Sequence, residues 1–348
     1  MRDPTDRRPA NGRNLRELPG GREQWRAGDG GCPPAEAVAE RWARTRTFHH
    51  SRYTAERIAR ERTMSVSVCV PAKECAGTVG RVAAELVGLR ERGAIDEVVV
   101  VDAASRDGTA AVARRAGARV LQEAELMPRF GEVLGKGDAM WRALSATEGE
   151  VVCYLDADTD AFDSHFATGV IGSLVCEQGV EFVKGFYRRP LAHGEMRVPD
   201  GGGRVNHLTA RPALALFYPE LAAVRQPLAG EVAARRELLE RLPFATGYAV
   251  EIAMLIDVWR EVGLAGIAQV DLEEHRNRSQ PLQALVPMAH TVLATIARRL
   301  QREGRLVEPP VGEQAAVAVD TREPDADGVD ADERRAPERP PLASVRVA

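Results

Sequence analysis

The sequence predicts an α/β fold, in which a doubly wound sheet of mainly parallel strands carries helices on both faces. Short apolar runs alternate with segments of helical spacing through the first half of the chain. Two of these runs end in acids: Asp102 follows the run at 97–101, and Asp156 and Asp158 follow the run at 151–155. Ligands of open α/β sheets bind where parallel strands end, so we expect the functional site at that edge.

The individual elements follow from local patterns. Short runs rich in β-branched residues predict buried strands at 66–70, 97–101, 118–121, 151–155, 182–186 and 267–270. Apolar residues at helical spacing predict helices at 54–62, 78–92, 110–116, 136–146, 208–217, 252–259 and 281–301. Strand and helix alternate from residue 66 to 155, which is the order that builds parallel β-α-β units.

Both ends of the chain differ in composition from this central part. Residues 1–45 are rich in Arg, Gly and Pro, and residues 306–348 in Pro, acids and Arg, so both predict disordered tails around a domain at 46–305. One helical turn is expected within the first tail, near 35–42. The formal charge of −4 gives no sign of a nucleic-acid or membrane surface. No run approaches the ~20 apolar residues of a membrane span. The five cysteines show no CxxC spacing, which favours reduced thiols in a cytoplasmic protein.

The acid pair after the run at 151–155 is the first candidate site. Asp156 and Asp158, with Ala157 between them, offer hard oxygen ligands to a divalent cation, whose other partner is usually a diphosphate. The same pattern also occurs in turns whose acids are simply solvated. Asp102 has the same ambiguity, because it can accept a hydrogen bond from a base or ribose or can cap the next helix. No GxGxxG or GxxxxGK[ST] motif follows either strand, which excludes the common dinucleotide and P-loop sites.

The second half supplies further candidates. Three glycines at 201–203 followed by Arg204 can form an anion site, although a flexible hairpin tip has the same composition. Glu251 opens an apolar helix and either complements the helix dipole or binds a sugar hydroxyl. His275 follows the last strand, where a lone histidine is often structural but can ligate a metal beside an Asp-X-Asp.

Taken in series, seven motifs of this chain resemble the actinobacterial glucosyl-3-phosphoglycerate synthases. The resemblance spans about 46–300 and leaves both tails uncovered. The motifs are Lys136-Gly-Asp-Ala-Met-Trp-Arg-Ala-Leu144, Asp156-Ala-Asp158, Phe186-Tyr-Arg-Arg-Pro190, Gly201-Gly-Gly-Arg-Val205, Gln226-Pro-Leu228, Gly247-Tyr248 with Val250-Glu251, and Glu274-His-Arg-Asn-Arg278.

The resemblance implies a GT-A-type, Rossmann-like nucleotide-diphospho-sugar transferase with a mixed, mainly parallel sheet. Residues 46–160 would form its nucleotide-binding half and residues 161–305 its acceptor-binding half and C-terminal helix. It implies a retaining hexosyltransferase that moves glucose from UDP-glucose to the 2-hydroxyl of D-3-phosphoglycerate with Mg²⁺ or Mn²⁺. It also implies a cytoplasmic homodimer whose product feeds glucosylglycerate and methylglucose lipopolysaccharide biosynthesis.

Site roles are also implied by the resemblance, position by position. Metal ligation would fall to Asp158 and His275, and the acceptor would be bound by Gly203, Arg204, Asn206 and Asn277. The donor would be bound by Pro71, Ala72, Lys73, Glu74, Asp102, Lys136, Asp156, Ala157, Glu251 and Asn277. Arg276 would line the junction of donor and acceptor, so that Asp158, Glu251, His275 and Arg276 form the catalytic set.

Three positions depart from the pattern of the family. The family usually has Asn-Glu where this chain has Glu74-Cys75, Thr where it has Asn206, and Arg where it has Glu273. The first and third lie near the expected nucleotide and diphosphate, so they bear on the choice of donor. Two alternatives follow: a mannosyl-3-phosphoglycerate synthase that uses GDP-mannose, and a non-catalytic nucleotide-sugar-binding protein.

Overall fold

The computed structural model describes residues 34–193, 196–198, 201–275, 280–306 and 337–345. The helices are α1 (Ala35–Thr45), α2 (Ala55–Glu61), α3 (Val79–Glu91), α4 (Thr109–Arg115), α5 (Lys136–Ser145), α6 (His165–Val175), α7 (Arg211–Phe217), α8 (Arg236–Arg241), α9 (Val250–Val262) and α10 (Leu282–Arg302). The strands are β1 (Thr47–His49), β2 (Val66–Ala72), β3 (Glu97–Asp102), β4 (Arg119–Gln122), β5 (Val151–Tyr154), β6 (Phe182–Arg188), β7 (Leu191–His193), β8 (Met196–Val198), β9 (Val232–Arg235), β10 (Phe244–Ala245), β11 (Ile267–Glu274) and β12 (Glu338–Arg339).

A central sheet of eight strands has the order β1-β11-β6-β9-β5-β2-β3-β4. Its pairs are parallel except for those of β9, which runs antiparallel to both β5 and β6. The expected mixed, mainly parallel sheet is therefore confirmed. β9 lies at the centre of the sheet, and it directs the chain just before it, at Gly230 and Glu231, towards the end of β5.

The sheet is covered on both faces because its strands are apolar on both sides. Val68 and Val70 of β2 pack on one face with α3 and α6, whereas Cys69 between them packs on the other with α5 and α9. Successive side chains of a strand point to opposite faces, so a continuous apolar run requires two cores. Cys69 and Cys153 are buried thiols within these cores.

Helix α6 is an element that the apolar periodicity did not reveal. Nearly all of its residues are buried, so it has no polar face to mark helical spacing. Gly172 lets α6 approach Tyr53, which lies just before α2 in the chain. A Cβ at this glycine would lie only 2.4 Å from the Tyr53 Cβ. The helix therefore packs tightly beneath the edge formed by β11 and β1.

The structure differs from the predicted domain boundaries at both ends. Helix α1 lies within the predicted N-terminal tail, where Trp42 is buried and its Nε1 donates to the Ile267 carbonyl at 2.8 Å. Residues 337–345, the C-terminal segment, lie within the predicted C-terminal tail. They pair with β10 through β12 and bury Leu342. Among the described residues, no helix is both long and apolar enough to cross a membrane.

Candidate active site

The acid pair lies immediately beyond β5, at the edge of the sheet where the sequence predicts it. Asp156 Oδ1 is 2.5 Å from Lys136 Nζ, and the same ammonium is 2.9 Å from Glu251 Oε1. Lys136 begins α5 and Glu251 lies in the first turn of α9, so one lysine joins the ends of three elements. The structure thus brings together three predicted donor-site residues that are far apart in the sequence.

The charges of this group depend on one another. Burial alone would lower the pKa of Lys136, but the carboxylates of Asp156 and Glu251 raise it well above its usual value. Burial would raise the pKa of Asp156, yet the Lys136 ammonium keeps it lowered. Burial and the neighbouring Asp156 carboxylate instead raise the pKa of Asp158. Asp158 is therefore the acid of the pair whose ionised form most needs an additional cation.

His275 lies beside these acids at the end of β11 and is buried. Its Nε2 lies 3.0 Å from Thr159 Oγ1 and 3.3 Å from Glu231 Oε1, and its ring stacks on Tyr187 at 4.5 Å between centroids. A hydrogen on Nε2 can be donated to the Thr159 hydroxyl or to the Glu231 carboxylate. Nδ1 then carries the lone pair, and among the described residues it has no hydrogen-bond partner.

These donors fit a divalent cation. Asp158 supplies a carboxylate in need of positive charge, and His275 supplies a buried imidazole nitrogen that nothing in the described chain satisfies. A carboxylate behind the opposite nitrogen, here that of Glu231, is the usual support of a metal-ligating histidine. The donor atoms of Asp158 and His275 are thus compatible with the metal ligation that the resemblance implies.

Glu231 is a site residue that the sequence analysis missed. Its side chain is 1% exposed, and neither carboxylate oxygen has a hydrogen-bond partner in the described residues beyond the ionic contact with His275. Burying a carboxylate is costly without compensation, which points to a role in the site. The signal in the sequence was a single acid between Ala229-Gly230 and the short apolar strand β9.

Lys184 is a second buried charge that the sequence analysis did not assign to the site. It lies in β6, its Nζ donates to the Ala229 carbonyl at 2.8 Å, and burial lowers its pKa to about 8. The carboxylates of Glu251 and Glu231 offset part of this lowering of the Lys184 pKa. A lysine inside a run of buried strand residues was the available signal.

The predicted nucleotide-binding residues lie at the ends of β2 and β3, on the side of β5 opposite β9. Pro71 and Ala72 end β2 beside Asp102, which ends β3. Asp102 Oδ2 accepts from Gln122 Nε2 at 3.0 Å and from the Ser105 N–H, whereas its buried Oδ1 has no partner among the described residues. This oxygen is available to a donor group of a ligand.

The loop after β2 places Lys73 and Glu74 differently from one another. Lys73 is exposed, but Glu74 has a left-handed backbone with φ of 51° and folds against the next loop. Its Oε1 accepts from the Arg106 N–H at 2.8 Å, and its own N–H donates to Ser105 Oγ at 2.9 Å. Glu74 therefore shapes the loop, and its carboxylate is already hydrogen-bonded. Ala157 is buried, and its carbonyl accepts from Thr78 Oγ1 at 2.7 Å, which fixes the turn between the two acids.

A basic cavity of about 430 Å³ adjoins the acids through Tyr187. Its lining residues are Phe186, Tyr187, Arg188, Arg189, Gly202, His207, Arg211, Arg225, Gln226 and Asp271. Four arginines in one concave surface, beside a glycine whose N–H donates to the Arg189 carbonyl, create a strongly positive pocket. Such a pocket suits a small ligand with phosphate and carboxylate groups.

The predicted acceptor residues lie around this basic cavity. Gly203 has a positive φ of 65°, which a side chain would disfavour, and it follows the cavity-lining Gly202. Arg204 donates to the Gln280 carbonyl at the edge of the loop. Asn206 is buried, and its amide contacts the Arg225 carbonyl at 3.3 Å and the Leu228 N–H at 3.4 Å. Arg276 and Asn277 lie outside the described residues.

The chain is similar in sequence to known glycosyltransferases. Residues 67–171 match the family model for Glycosyl transferase family 2. The glucosyl-3-phosphoglycerate synthase of Petrotoga mobilis is 37% identical over 270 residues, which are 75% of this chain and 82% of the relative. The glucosyl-3-phosphoglycerate synthase of Mycolicibacterium smegmatis is 41% identical over 263 residues, 75% of this chain and 86% of the relative.

Solved structures agree with this assignment of the fold. Mannosyl-3-phosphoglycerate synthase from Rubrobacter xylanophilus is 48% identical, with a TM-score of 0.73 over 78% of this chain and 86% of that chain. Glucosyl-3-phosphoglycerate synthase from Mycobacterium tuberculosis, solved with Mn²⁺, UDP-glucose and phosphoglyceric acid, is 36% identical, with a TM-score of 0.70 over 85% of this chain and 97% of that chain. The same enzyme has also been solved with Mg²⁺ and UDP.

Proposed function

Because the chain belongs to the glucosyl-3-phosphoglycerate synthase family, we propose that it transfers glucose from UDP-glucose to the 2-hydroxyl of D-3-phosphoglycerate with retention of configuration. It is a GT-A-type hexosyltransferase by family and by fold. The observation that carries the substrate assignment is the arginine-lined cavity whose Tyr187 stacks on His275. That arrangement supports binding of a small phosphorylated acid in the cavity and of a metal diphosphate at the neighbouring acids.

The cation site is the first part of the mechanism. We assign Asp158 and His275 as the residues that would hold Mg²⁺ or Mn²⁺, which supplies charge neutralisation for the departing diphosphate when bound. Glu231 would support His275 through Nε2, and Nδ1, which has no hydrogen-bond partner among the described residues, would be the ligating atom. Asp156 is engaged by Lys136 and serves the ribose side of the donor.

Glucose is held by Glu251 in this proposal. Its Oε1 is paired with Lys136 at 2.9 Å, which compensates its charge and reduces its nucleophilicity. Glu251 therefore accepts hydrogen bonds from sugar hydroxyls rather than attacking C1. The acceptor oxygen bonds to C1 on the face from which the diphosphate leaves, and the leaving diphosphate oxygen takes the acceptor proton. Trapping a glycosyl adduct on Glu251 would contradict this route.

We assign acceptor binding to residues 203–206, which follow the cavity-lining Gly202. Gly203, Arg204 and Asn206 would hold phosphoglycerate together with Asn277, and Arg276 would line the junction with the donor. Asn206 would act mainly by fixing the loop, because its amide already contacts the Arg225 and Leu228 backbone. Pro71, Ala72, Lys73 and Asp102 would contact the uridine end, with Glu74 shaping the loop beside them.

Arg204→Ala tests the acceptor assignment. Loss of charge-assisted hydrogen bonds should raise the KM for phosphoglycerate roughly 10–100-fold while the KM for UDP-glucose changes little. Steady-state kinetics with each substrate varied in turn measure both constants. Arg114→Ala, on the surface helix α4 away from the cavity, is the control and should alter neither. Equal increases in the two KM values for Arg204→Ala would place the acceptor elsewhere.

A GDP-mannose-dependent enzyme is the second candidate, favoured by the 48% identity to the Rubrobacter xylanophilus mannosyl-3-phosphoglycerate synthase. A donor competition distinguishes the two. Purified protein with Mg²⁺ and D-3-phosphoglycerate is offered UDP-glucose, GDP-glucose and GDP-mannose, and nucleotide release and product are followed. We expect UDP-glucose to give the highest kcat/KM. Preference for GDP-mannose would move the protein to the mannosyl branch, and no turnover with any donor would favour a non-catalytic protein.

We also propose that the protein acts as a cytoplasmic homodimer. Both proposed substrates are intracellular metabolites, which supports the location, and the family resemblance supports the dimer. Size-exclusion chromatography with light scattering measures the state of association directly. A monomer at the concentrations used for kinetics would reject the homodimer.

A further inference from the structure

A second cluster of side chains that could ligate a metal lies at the same carboxyl-end edge of the sheet, at its outer strands β1 and β11. β1 and β11 are parallel neighbours, with His49 opposite Asp271, so their ends lie at the same edge. His49 ends β1, His50 follows it directly, and Glu273 lies near the end of β11. One ligand atom from each of these three residues lies within 4.8 Å of the other two.

The distances within this cluster match a shared cation. Glu273 Oε1 is 3.2 Å from His50 Nε2 and 3.6 Å from His49 Nε2. Two ligands of a tetrahedral Zn²⁺ site, each about 2.0–2.1 Å from the metal, are about 3.3–3.4 Å apart. One carboxylate oxygen thus stands at a coordination-edge distance from two separate imidazole nitrogens.

The surroundings of the three side chains also suit a metal. His50 is the most enclosed of the three, with its ring between those of His49 and His165 at centroid distances of 4.6 and 4.5 Å. His49 and Glu273 are about half exposed, which leaves room for water as a further ligand. His50 also lines a cavity of about 220 Å³ next to this edge.

The second nitrogen of His49 has a partner that can orient it. His49 Nδ1 is 2.8 Å from Ser51 Oγ and 3.2 Å from the Ser51 N–H. Metal on Nε2 requires the tautomer whose Nδ1–H donates to the hydroxyl, in place of the contact with the backbone N–H. The hydroxyl is close enough to support that tautomer.

We propose that His49, His50 and Glu273 form a binding site for a borderline divalent cation such as Zn²⁺, separate from the catalytic cation site. Two imidazoles and a carboxylate suit Zn²⁺ better than Mg²⁺, which prefers oxygen ligands. The bound ion joins β1 to the end of β11, two residues before His275. This proposal does not depend on the identity of the sugar donor.

Zn²⁺ titration of the full-length protein by calorimetry, in saturating Mg²⁺, tests the site. Wild type and Asp158→Ala should each bind one Zn²⁺ with similar affinity, because the catalytic acid is not a ligand here. His50→Ala and Glu273→Gln should bind it at least about tenfold more weakly. His290→Ala, a histidine of α10, is the matched control and should bind normally. Co²⁺ in place of Zn²⁺ should give visible tetrahedral absorption in wild type that His50→Ala lacks.

Circular dichroism tests whether each variant is folded. If His50→Ala is not folded, His49→Ala is used in its place. Zn²⁺ binding that disappears in Asp158→Ala but persists in His50→Ala and His49→Ala would overturn the proposal, since the ion would then occupy the catalytic site. Unchanged affinity in both histidine variants and in Glu273→Gln would overturn it as well.

Discussion

Replacing Arg339 with alanine tests whether the C-terminal segment belongs to the folded domain. The guanidinium binds the Asp138 carboxylate through Nε at 2.8 Å and Nη2 at 2.5 Å. It also donates to the Phe130 carbonyl at 2.7 Å and to the Glu132 carbonyl at 2.9 Å. Asp138 is fully buried in α5, two residues beyond Lys136, so this contact links the segment to the donor side of the site.

The size of the effect follows from what remains after the substitution. Four hydrogen bonds at about 0.5–1.5 kcal/mol net each would suggest a loss of about 2–6 kcal/mol. Asp138 keeps Arg142 Nε at 3.1 Å and the Leu134 N–H at 2.9 Å, so its charge is not left without a partner. Detachment of the segment also limits the loss to the free energy of docking. We therefore expect the free energy of unfolding to fall by about 2–3 kcal/mol.

Urea unfolding followed by tryptophan fluorescence measures this change. Trp141 is a suitable reporter, because its Nε1 donates to the Pro340 carbonyl at 2.9 Å. Arg302→Ala is the matched control: Arg302 pairs with Glu338 of the same segment but is 51% exposed, so its loss should cost less than about 1 kcal/mol. The KM for UDP-glucose should rise in Arg339→Ala and stay unchanged in Arg302→Ala. Equal stability of the two variants would refute the reasoning.

Two further predictions concern carboxylates, the fully buried Glu231 and the partly buried Glu123. Glu231→Ala should weaken activation by Mg²⁺ about 10–100-fold, because His275 loses the carboxylate that supports it. Glu231→Gln should retain part of the activation. An activation constant for Mg²⁺ that is unchanged in Glu231→Ala would contradict this role. Burial, and to a smaller extent the Asp138 carboxylate, raises the pKa of Glu123 from 4.5 to about 7. The folded state therefore favours the protonated acid, and the stability this provides is present below about pH 4.5 and lost as the pH rises through about 7. Glu123→Gln should flatten the fall in urea midpoint between about pH 5 and pH 8, whereas Glu125→Gln, at an exposed neighbour, should retain it.

The elements that sequence patterns predicted are those whose stabilising contacts repeat locally. β2, β3 and β5 are continuous apolar runs, and their burial on both faces explains why the runs contain no polar alternation. β9 was missed because its four residues, Val232–Arg235, form a strand through antiparallel pairing with β5 and β6. That pairing depends on chain segments about fifty and eighty residues earlier, which no local pattern encodes.

The site divides in the same way. Asp156 and Asp158 could be predicted as candidates because they follow a recognisable strand, and His275 because it follows another. Glu231 could not, since its value lies in the contact with His275 across the sheet. The C-terminal segment has a composition typical of disorder, and it docks through specific ion pairs such as Arg339 with Asp138. Composition predicts the average behaviour of such a segment but not a complementary buried charge elsewhere.

The order of strands in the central sheet also bears on how the chain folds during synthesis. β2, β3, β4 and β5 are contiguous in the sheet and are all made by residue 154, so this half can pair early. β1 precedes them, yet its partner is β11, and Thr47 and Gln269 are 222 residues apart. Of the strands that the structure describes, the first to leave the ribosome is therefore the one that must wait longest for its neighbour. Chains stopped before residue 267 would expose this edge, which makes β1 the place where a nascent chain most needs protection from aggregation.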